Sequence, residues 1–371
     1  MKFIYTIFFC CLHYYVFSQV YSFNPGKVWK DTEGIHINAH GGGILYHNGI
    51  YYWYGEYKAA GRLGNTALKG VSCYSSSDLY NWKNEGIALK VENNLDSEIT
   101  KGCIIERPKV VFNKKKGKYV MWFHLELKNQ GYSAARAAVA ISDNPKGPFK
   151  YLKSFRPNKG VWPMNLDNKF NSAVIRAKRL ESWTPEWLTA VKNGMLVRSD
   201  LERGQMSRDM TVYVDDDSEA YLIHAAEDNL TLHISELTDD YLDFTEKWVR
   251  MEPAGHNEAP AVFKKNGIYY MITSGCTGWQ PNAARSYSSK SIWGPWESLG
   301  NPCVGKEAEL TFHSQSTFIL PVQGKKDQFI FMADRWNPGK PIEGTYVWLP
   351  LQFEKEKPII KWKEEWNLNN L

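Results

Sequence analysis

Apolar and aromatic residues are concentrated in five short runs along the chain, at 48–56, 117–124, 220–224, 267–273 and 329–334. Within each run the apolar residues are nearly continuous, which is typical of β-strands that are buried on both faces. Gly and Asn residues that precede such runs supply hairpin turns, and polar residues follow them. The pattern therefore predicts five equivalent strands.

A second recurring element follows the runs, with examples at 75–82, 141–149, 234–241 and 291–296. The spacing between units is unequal, which argues against a solenoid of identical repeats. Unequal spacing is typical of radial blades of four antiparallel strands joined by variable loops. We therefore predict an all-β fold, a five-bladed β-propeller.

One segment, residues 158–205, does not follow the β pattern. Within it, Thr184 is a suitable N-cap, Pro185 suits the first helical turn and Gly194 suits a C-terminal stop. These signals predict one short helix in an insertion between blades, near the ligand-binding face. We expect the insertion to be a structural flap, and a lid over the site is the alternative.

The first residues are typical of a secretory signal peptide. Lys2 provides the positive charge, residues 3–17 are mostly apolar, and Ser18 is a small residue at the expected cleavage point. We predict a signal peptide at 1–18, a single propeller domain at 19–371, and a secreted or periplasmic location. The apolar stretch is too short to span a membrane, and no later stretch is long enough.

Composition and charge exclude several classes of protein and one class of binding partner. The 371 residues are 14% aromatic and carry a net charge of +5, with 45 basic and 40 acidic residues. This composition excludes disorder and coiled coils, and the charge is too small to indicate nucleic-acid binding. The basic run Lys114–Lys116 is expected in a turn. We expect a monomer without a cofactor.

The cysteines and histidines do not indicate a disulfide framework or a metal site. Downstream of the signal peptide, the cysteines are Cys73, Cys103, Cys276 and Cys303. Their spacing lacks paired zinc ligands, so we expect buried free thiols. His36 and His40 would share one strand face, but no third ligand is evident. The run Asp215–Asp217 is best explained as a hairpin turn.

Polar residues that adjoin the predicted strands are the candidates for chemistry. Each comes from a different unit: Glu56, Glu106, Asp209, Glu258 and Gln315. Carboxylates buried near one another raise at least one pKa, which suits a general acid near neutral pH. One acid and one partner that handles water are the requirements of glycosidic-bond hydrolysis.

Eight short motifs that follow one another along the chain carry a resemblance to a known family. They are residues 39–43, 52–56, 105–110, 207–209, 258–260, 278–279, 314–315 and 334–336. With them the chain resembles glycoside hydrolase family 43, a family of five-bladed propeller hydrolases, and most closely its exo-β-1,3-galactanase branch. The resemblance extends over 29–366 apart from the insertion.

The resemblance implies a role for three residues. Glu258 matches the general acid, and Asp209 matches the carboxylate that orients this acid and raises its pKa. Residues 35–41, where most of the family carries an Asp base, contain no carboxylate, and Gln315 matches the unusual base of the galactanase branch. An inverting pair is separated by roughly 6.5–9.5 Å to leave room for water.

The resemblance also implies residues that bind sugar. Four residues match those that bind the terminal galactose: Glu56, Glu106, Tyr132 and Asn229. Of these four, we place Glu106 with the catalytic residues. Trp279 and Trp336 are candidates to stack on a sugar face, with a place in the core as the alternative. We also include His40 in the substrate-binding set.

The expected function is secreted exo-β-1,3-galactanase activity, with inverting release of galactose from β-1,3-galactan. Two alternatives stay open. One is the same fold with arabinofuranosidase, xylosidase or galactofuranosidase specificity. The other is a non-catalytic carbohydrate-binding propeller, because the usual Asp base is missing. The acidic residues have a structural alternative as ion pairs, and Gln315 as a partner of buried backbone groups.

Overall fold

The computed structural model describes residues 20–61, 63–171 and 180–371, so the predicted signal peptide lies outside the described residues. Blade 1 contains β1 (His40–His47), β2 (Ile50–Glu56), β3 (Gly70–Ser76) and β4 (Lys83–Lys90). Blade 2 contains β5 (Ile104–Asn113), β6 (Lys118–Glu126), β7 (Arg136–Ser142) and β8 (Lys150–Phe155). Blade 3 contains β9 (Met210–Val214), β10 (Ala220–Ala226), β11 (Thr231–Leu237) and β12 (Phe244–Met251).

Blade 4 contains β13 (Glu258–Lys265), β14 (Ile268–Ser274), β15 (Ala284–Ser289) and β16 (Glu297–Gly300). Blade 5 contains β17 (Cys303–Val304), β18 (Gln315–Pro321), β19 (Phe329–Arg335), β20 (Thr345–Glu354) and β21 (Lys357–Lys361). Each blade is a meander of four antiparallel strands, and in blade 5 the short β17 adds in parallel to β21. The inner strands β1, β5, β9, β13 and β18 contact one another in a closed ring. The five-bladed propeller prediction is confirmed.

The five apolar runs are the second strands of the blades, and both of their faces are buried. In β6, for example, Met121 and Phe123 pack into the core between blades 1 and 2, whereas Val120 and Trp122 pack into the core between blades 2 and 3. Each of the five hydrophobic clusters joins two neighbouring blades in this way. A strand between two cores has no solvated face, which explains why its apolar residues do not alternate with polar ones.

The ring is closed by a clasp between the two ends of the described chain. Phe23 and Trp366 exchange backbone hydrogen bonds of 2.7 and 3.1 Å, and their rings stack with centroids 4.4 Å apart. The Trp366 indole donates to the Trp348 carbonyl oxygen over 2.8 Å. Both clasp residues belong to the buried cluster that joins blades 1 and 5.

The insertion contains two helices, α1 (Pro185–Lys192) and α2 (Met195–Asp200), so the prediction of a single helix is wrong. The start was predicted correctly, because the Thr184 side chain accepts a hydrogen bond from the Trp187 amide. Gly194 ends α1 and, with a φ of 79°, redirects the chain into α2, which has no side-chain cap to reveal it in the sequence. Short 3₁₀ turns occupy Asn168–Phe170, Ala308–His313, Pro341–Glu343 and Leu368–Asn370.

The insertion packs against the outer strands of blade 3. Arg250 on β12 donates to the carbonyl oxygens of Val191 and Lys192 at 2.8 Å each, and Trp248 donates to Val161. These contacts hold the insertion to the side of the propeller. They support its interpretation as a structural flap.

Several smaller predictions can be checked in the described part of the chain. The basic run at 114–116 lies in a turn, and Asp216 and Asp217 form the turn between β9 and β10. The four cysteines are free, and all except the partly buried Cys276 are buried. No helix there is long and apolar enough to span a membrane.

The clasp gives a stability prediction. Phe23→Ala removes a buried ring and leaves a cavity between blades 1 and 5, so we expect the free energy of unfolding to fall by about 3–5 kcal/mol. Chemical denaturation measures this change. The control is Leu95→Ala, at a side chain that is 78% exposed, with an expected effect within about 0.5 kcal/mol. Equal effects of the two substitutions would show that the clasp does not close the ring.

Candidate active site

A cavity of about 360 Å³ opens at the end of the propeller where the inner strands begin. The five polar residues predicted from the sequence all line it, one from each blade: Glu56, Glu106, Asp209, Glu258 and Gln315. Tyr132, Asn229, Trp279 and Trp336 line it as well. A larger cavity of about 540 Å³ at the opposite end of the ring has mostly apolar walls. The structure therefore brings nine of the ten predicted site residues together.

β-Bulges lie next to Glu106, Glu258 and Gln315 and opposite Glu56. The strand registers shift between His40 and Gly43, Glu106 and Lys109, Glu258 and Ala261, and Ser316 and Phe318. A bulge adds one residue to a strand and turns its neighbours, and bulges are frequent next to functional sites. Arg107 and Ala259, inside two of the bulges, both have a φ of 54°. The periodicity of the sequence does not reveal these irregularities.

Glu258 is a buried carboxyl group beside a second carboxylate. Burial raises the pKa of Glu258 to about 8, the negative charge of Asp209 adds to the shift, and the Arg107 guanidinium opposes it. Asp209 is held in place because its Oδ2 accepts from the Ala259 amide over 3.1 Å and lies 2.8 Å from Arg107 Nη2. At pH 7 Glu258 is therefore mainly a neutral acid that can donate a proton.

Asn229 lies next to this acid. Its Nδ2 is 3.3 Å from Glu258 Oε2, whereas its buried Oδ1 has no hydrogen-bond partner. A rotation of the amide by 180° would allow Oδ1 to accept the proton of a neutral Glu258. Asn229 can thus hydrogen-bond to either protonation state of the acid.

Gln315 uses its whole amide in hydrogen bonds. Oε1 accepts from Arg107 Nη2 over 2.5 Å and from the Trp336 indole over 2.9 Å. Nε2 lies 2.9 Å from Ser274 Oγ and 3.2 Å from Glu258 Oε1. The separation of roughly 6.5–9.5 Å that an inverting pair needs for its water is therefore not present between Glu258 and Gln315 in this structure. Instead, the Gln315 amide donates directly to the Glu258 carboxyl group.

Glu106 belongs to a buried chain of charges. His124 bonds to Glu106 Oε2 over 3.0 Å and to Glu126 Oε1 over 2.9 Å, and Tyr132 donates to Glu106 Oε1 over 2.6 Å. Burial opposes charge on His124, yet the two carboxylates raise its pKa to about 9. Burial alone would raise the pKa of Glu106, but the His124 hydrogen bond and charge hold it at about 2. Glu106 is consequently an ionised hydrogen-bond acceptor.

Glu56 is held by a cation and a backbone amide. Lys58 Nζ lies 2.5 Å from Glu56 Oε2, and the Arg107 amide donates to Oε1 over 3.0 Å. Burial raises the pKa of Glu56, and Lys58 opposes the increase. Gly41 has a φ of 62°, and a Cβ there would lie 2.2 Å from Glu56 Oε1, so only glycine fits this position.

Trp279 and Trp336 form an aromatic wall, with ring centroids 6.0 Å apart at 75°. The Trp279 side chain is 41% exposed, which excludes a place in the propeller core. Two cations of the cavity lie over the Trp336 ring, with Arg107 5.3 Å and Lys58 5.7 Å from its centroid.

His40 does not reach the cavity, so its assignment to the substrate-binding set is wrong in this structure. Its side chain is fully buried, stacks on Tyr346 with centroids 5.2 Å apart and lies 3.3 Å from Asp334. The ring packs behind Trp336 at 6.2 Å and supports it from outside the cavity. In the residues that the structure describes, no three His, Cys, Asp or Glu side chains are grouped to bind a metal ion.

Four cations that were not predicted from the sequence also line the cavity: Lys58, Arg107, His124 and Arg208. A signal was present for one of them. His124 and Glu126 are polar residues in the otherwise apolar strand β6, and buried polar residues need partners. The partners come from other strands and are not visible from spacing alone.

Comparison with known proteins agrees with this geometry. Residues 175–346 match the family model described as glycosyl hydrolases family 43. A family 43 β-1,3-galactosidase, solved with galactodeoxynojirimycin, is 55% identical, with a TM-score of 0.89 over 93% of this chain and 100% of that one. No curated protein matches the chain.

Two exo-β-1,3-galactanases are also similar, each with a TM-score of 0.75. The Phanerochaete chrysosporium enzyme, a variant solved with β-1,3-galactotriose, is 32% identical over 94% of this chain and 69% of that chain. The Clostridium thermocellum enzyme is 38% identical over 93% of this chain and 66% of that chain. The fold, the acidic cavity built from five blades and this identity over nearly the whole chain show that the protein belongs to glycoside hydrolase family 43.

Proposed function

We propose that the protein is an exo-β-1,3-galactanase that releases galactose from β-1,3-galactan by inverting hydrolysis. The observation that carries the proposal is that Glu258, Asp209 and Gln315 line one cavity, in which burial and the charge of Asp209 raise the pKa of Glu258 to about 8. Its volume of about 360 Å³ is near the lower end for ligand pockets, which suits one terminal sugar and an exo mode of attack. The names of the similar structures, a β-1,3-galactosidase and exo-β-1,3-galactanases, support the substrate class.

In the proposed reaction, Glu258 donates its proton to the glycosidic oxygen as the bond from this oxygen to C1 breaks. Water attacks C1 from the opposite face, which inverts the anomeric configuration, and its proton passes to Gln315 if Gln315 is the base, or to solvent if Gln315 only binds the water. We assign the water to Gln315, as the base or as the group that binds it. Entry of sugar and water would break the direct hydrogen bond between Gln315 and Glu258.

The remaining polar residues of the cavity are assigned to the terminal sugar. Glu106 and Glu56 offer carboxylate oxygens to sugar hydroxyl groups, and Tyr132 and Asn229 offer further hydrogen bonds. Trp279 and Trp336 provide apolar faces for the ring. Residues 1–18 retain the signal-peptide prediction, so we propose export to the periplasm or the exterior.

Product analysis tests the reaction. Purified protein is incubated with β-1,3-galactobiose and with aryl α-L-arabinofuranosides, and the first-formed anomer is followed by NMR. We expect α-galactose first, no release of arabinose, and no turnover by Glu258→Gln. A first-formed β-anomer would exclude inversion, and arabinose release would support the alternative specificity. Binding without turnover in the wild type would support a non-catalytic propeller.

The pKa of Glu258 predicts the alkaline limb of activity. The acid must be protonated, so kcat/KM is expected to fall as pH rises through about 8. Asp209→Asn removes a negative charge that raises this pKa, so the fall should begin at lower pH. The control is Asp143→Asn, at an exposed carboxylate paired with Lys118. An unchanged limb in Asp209→Asn would contradict the assignment of Glu258 as the acid.

The charge of His124 predicts how kcat/KM depends on pH at acidic pH. With a pKa of about 2, Glu106 stays ionised throughout the usual assay range. His124→Phe removes the cation, so burial is expected to raise the pKa of Glu106, and kcat/KM should then fall below about pH 5. His47→Phe, at the far end of β1, is the control for loss of an imidazole. Loss of activity by the same factor at every pH would instead indicate a purely structural role for His124.

A further inference from the structure

We propose that Arg107 is the positioning residue that sets which way the Gln315 amide faces, and that it acts on the reaction through this amide. The inference rests on the proposed function, in which Gln315 holds the attacking water. Nothing in the sequence assigns a role to Arg107, which follows Glu106 in a bulge of β5.

The donors around Gln315 permit only one orientation of its amide. An amide group has nearly the same shape after a 180° rotation, so its orientation depends on its partners. Arg107 Nη2 and the Trp336 indole nitrogen are donors only, and both lie at Oε1, at 2.5 and 2.9 Å. The reversed amide would point its NH₂ at two N–H donors and its oxygen at Glu258 and Ser274.

Arg107 can impose this orientation because it is itself immobilised. The residue is 5% exposed, and its guanidinium bonds to Asp209 over 2.8 Å and to the Ser316 carbonyl oxygen over 3.0 Å. Its planar group also lies over the Trp336 ring, 5.3 Å from the centroid. The fork of donors therefore binds blade 3 and blade 5 at the same time, a geometry that a lysine ammonium does not reproduce.

The orientation has a chemical consequence. With Oε1 held by Arg107 and Trp336, the NH₂ group is the part of Gln315 that faces Glu258. In this orientation the amide binds the attacking water as a hydrogen-bond donor, and the proton of the water passes to solvent. Loss of the orientation should affect the step at C1 more than the binding of the terminal sugar, since sugar contacts are assigned to other residues. Arg107 also pairs with Asp209, so the test must separate an effect through Gln315 from an effect through Asp209.

A double-mutant cycle makes this separation. The substitutions are Arg107→Lys, which retains the charge but not the fork, and Gln315→Ala, alone and together. The substrate is an aryl β-galactoside with a good leaving group, so that proton donation by Glu258 is not limiting. We expect Arg107→Lys to lower kcat by about tenfold or more, with little change in KM, and to have little further effect in the Gln315→Ala background.

The matched control is Arg208→Lys. Arg208 also lines the cavity, but it donates to Tyr132 and pairs with Asp228 rather than contacting Gln315. Its effect on kcat should therefore be the same with and without Gln315. Equal effects of Arg107→Lys in the two backgrounds, or a rise in KM alone, would overturn the proposal.

Two further measurements keep the outcome decisive. Should Arg107→Lys fail to fold, Trp336→Phe removes the other donor to Oε1 and leaves the Asp209 ion pair intact, and it enters the same cycle. If Gln315→Ala has no measurable turnover, NMR of the Gln315 side-chain NH₂ group replaces the kinetic cycle. We expect its two proton signals to shift in Arg107→Lys. Unchanged signals would refute the positioning role of Arg107. Absence of galactose release by the wild type would refute the proposed function instead, before any variant is compared.

Discussion

The site depends on how four carboxyl groups, each buried or half-buried, share one cavity. Buried like charges are unfavourable unless each is paired or neutralised. Three of the four have a cation within hydrogen-bond distance: Glu56 with Lys58, Glu106 with His124, and Asp209 with Arg107. Among the described residues, Glu258 has no ion pair of this kind. It is therefore the carboxyl group that keeps a proton near pH 8.

The propeller makes this distribution of charge possible. Each inner strand begins at the same end of the ring, and the second strand of blade 1 ends there with Glu56, so five distant segments place one polar side chain each around a single cavity. The second strands carry the stability, since their two faces fill the cores between blades. Bulges at the cavity end of four inner strands change the direction of side chains there, whereas residues further along the same strands pack in the cores between blades.

Arg107 connects site residues that come from different blades. Its backbone amide holds Glu56 of blade 1, and its side chain holds Asp209 of blade 3 and Gln315 of blade 5. One residue of blade 2 thus fixes groups from three other blades. The structure in this way explains how the neutral amide of Gln315, which matches the unusual base of the galactanase branch, is kept in one orientation beside the acid.

The fold class, the five units and nine of the ten residues that we assigned to the site could be predicted from the amino-acid sequence and its resemblance to a known family. Continuous apolar runs follow from burial on both faces, and acidic motifs next to those runs converge in any closed ring of blades. Three features could be seen only in the folded protein. His40 lies behind Trp336, and Gln315 donates directly to Glu258. Three cations, Lys58, Arg107 and His124, each neutralise a different carboxylate. The reason is that pairing and orientation depend on distances between strands far apart in the chain. Patterns within one strand contain no record of those distances.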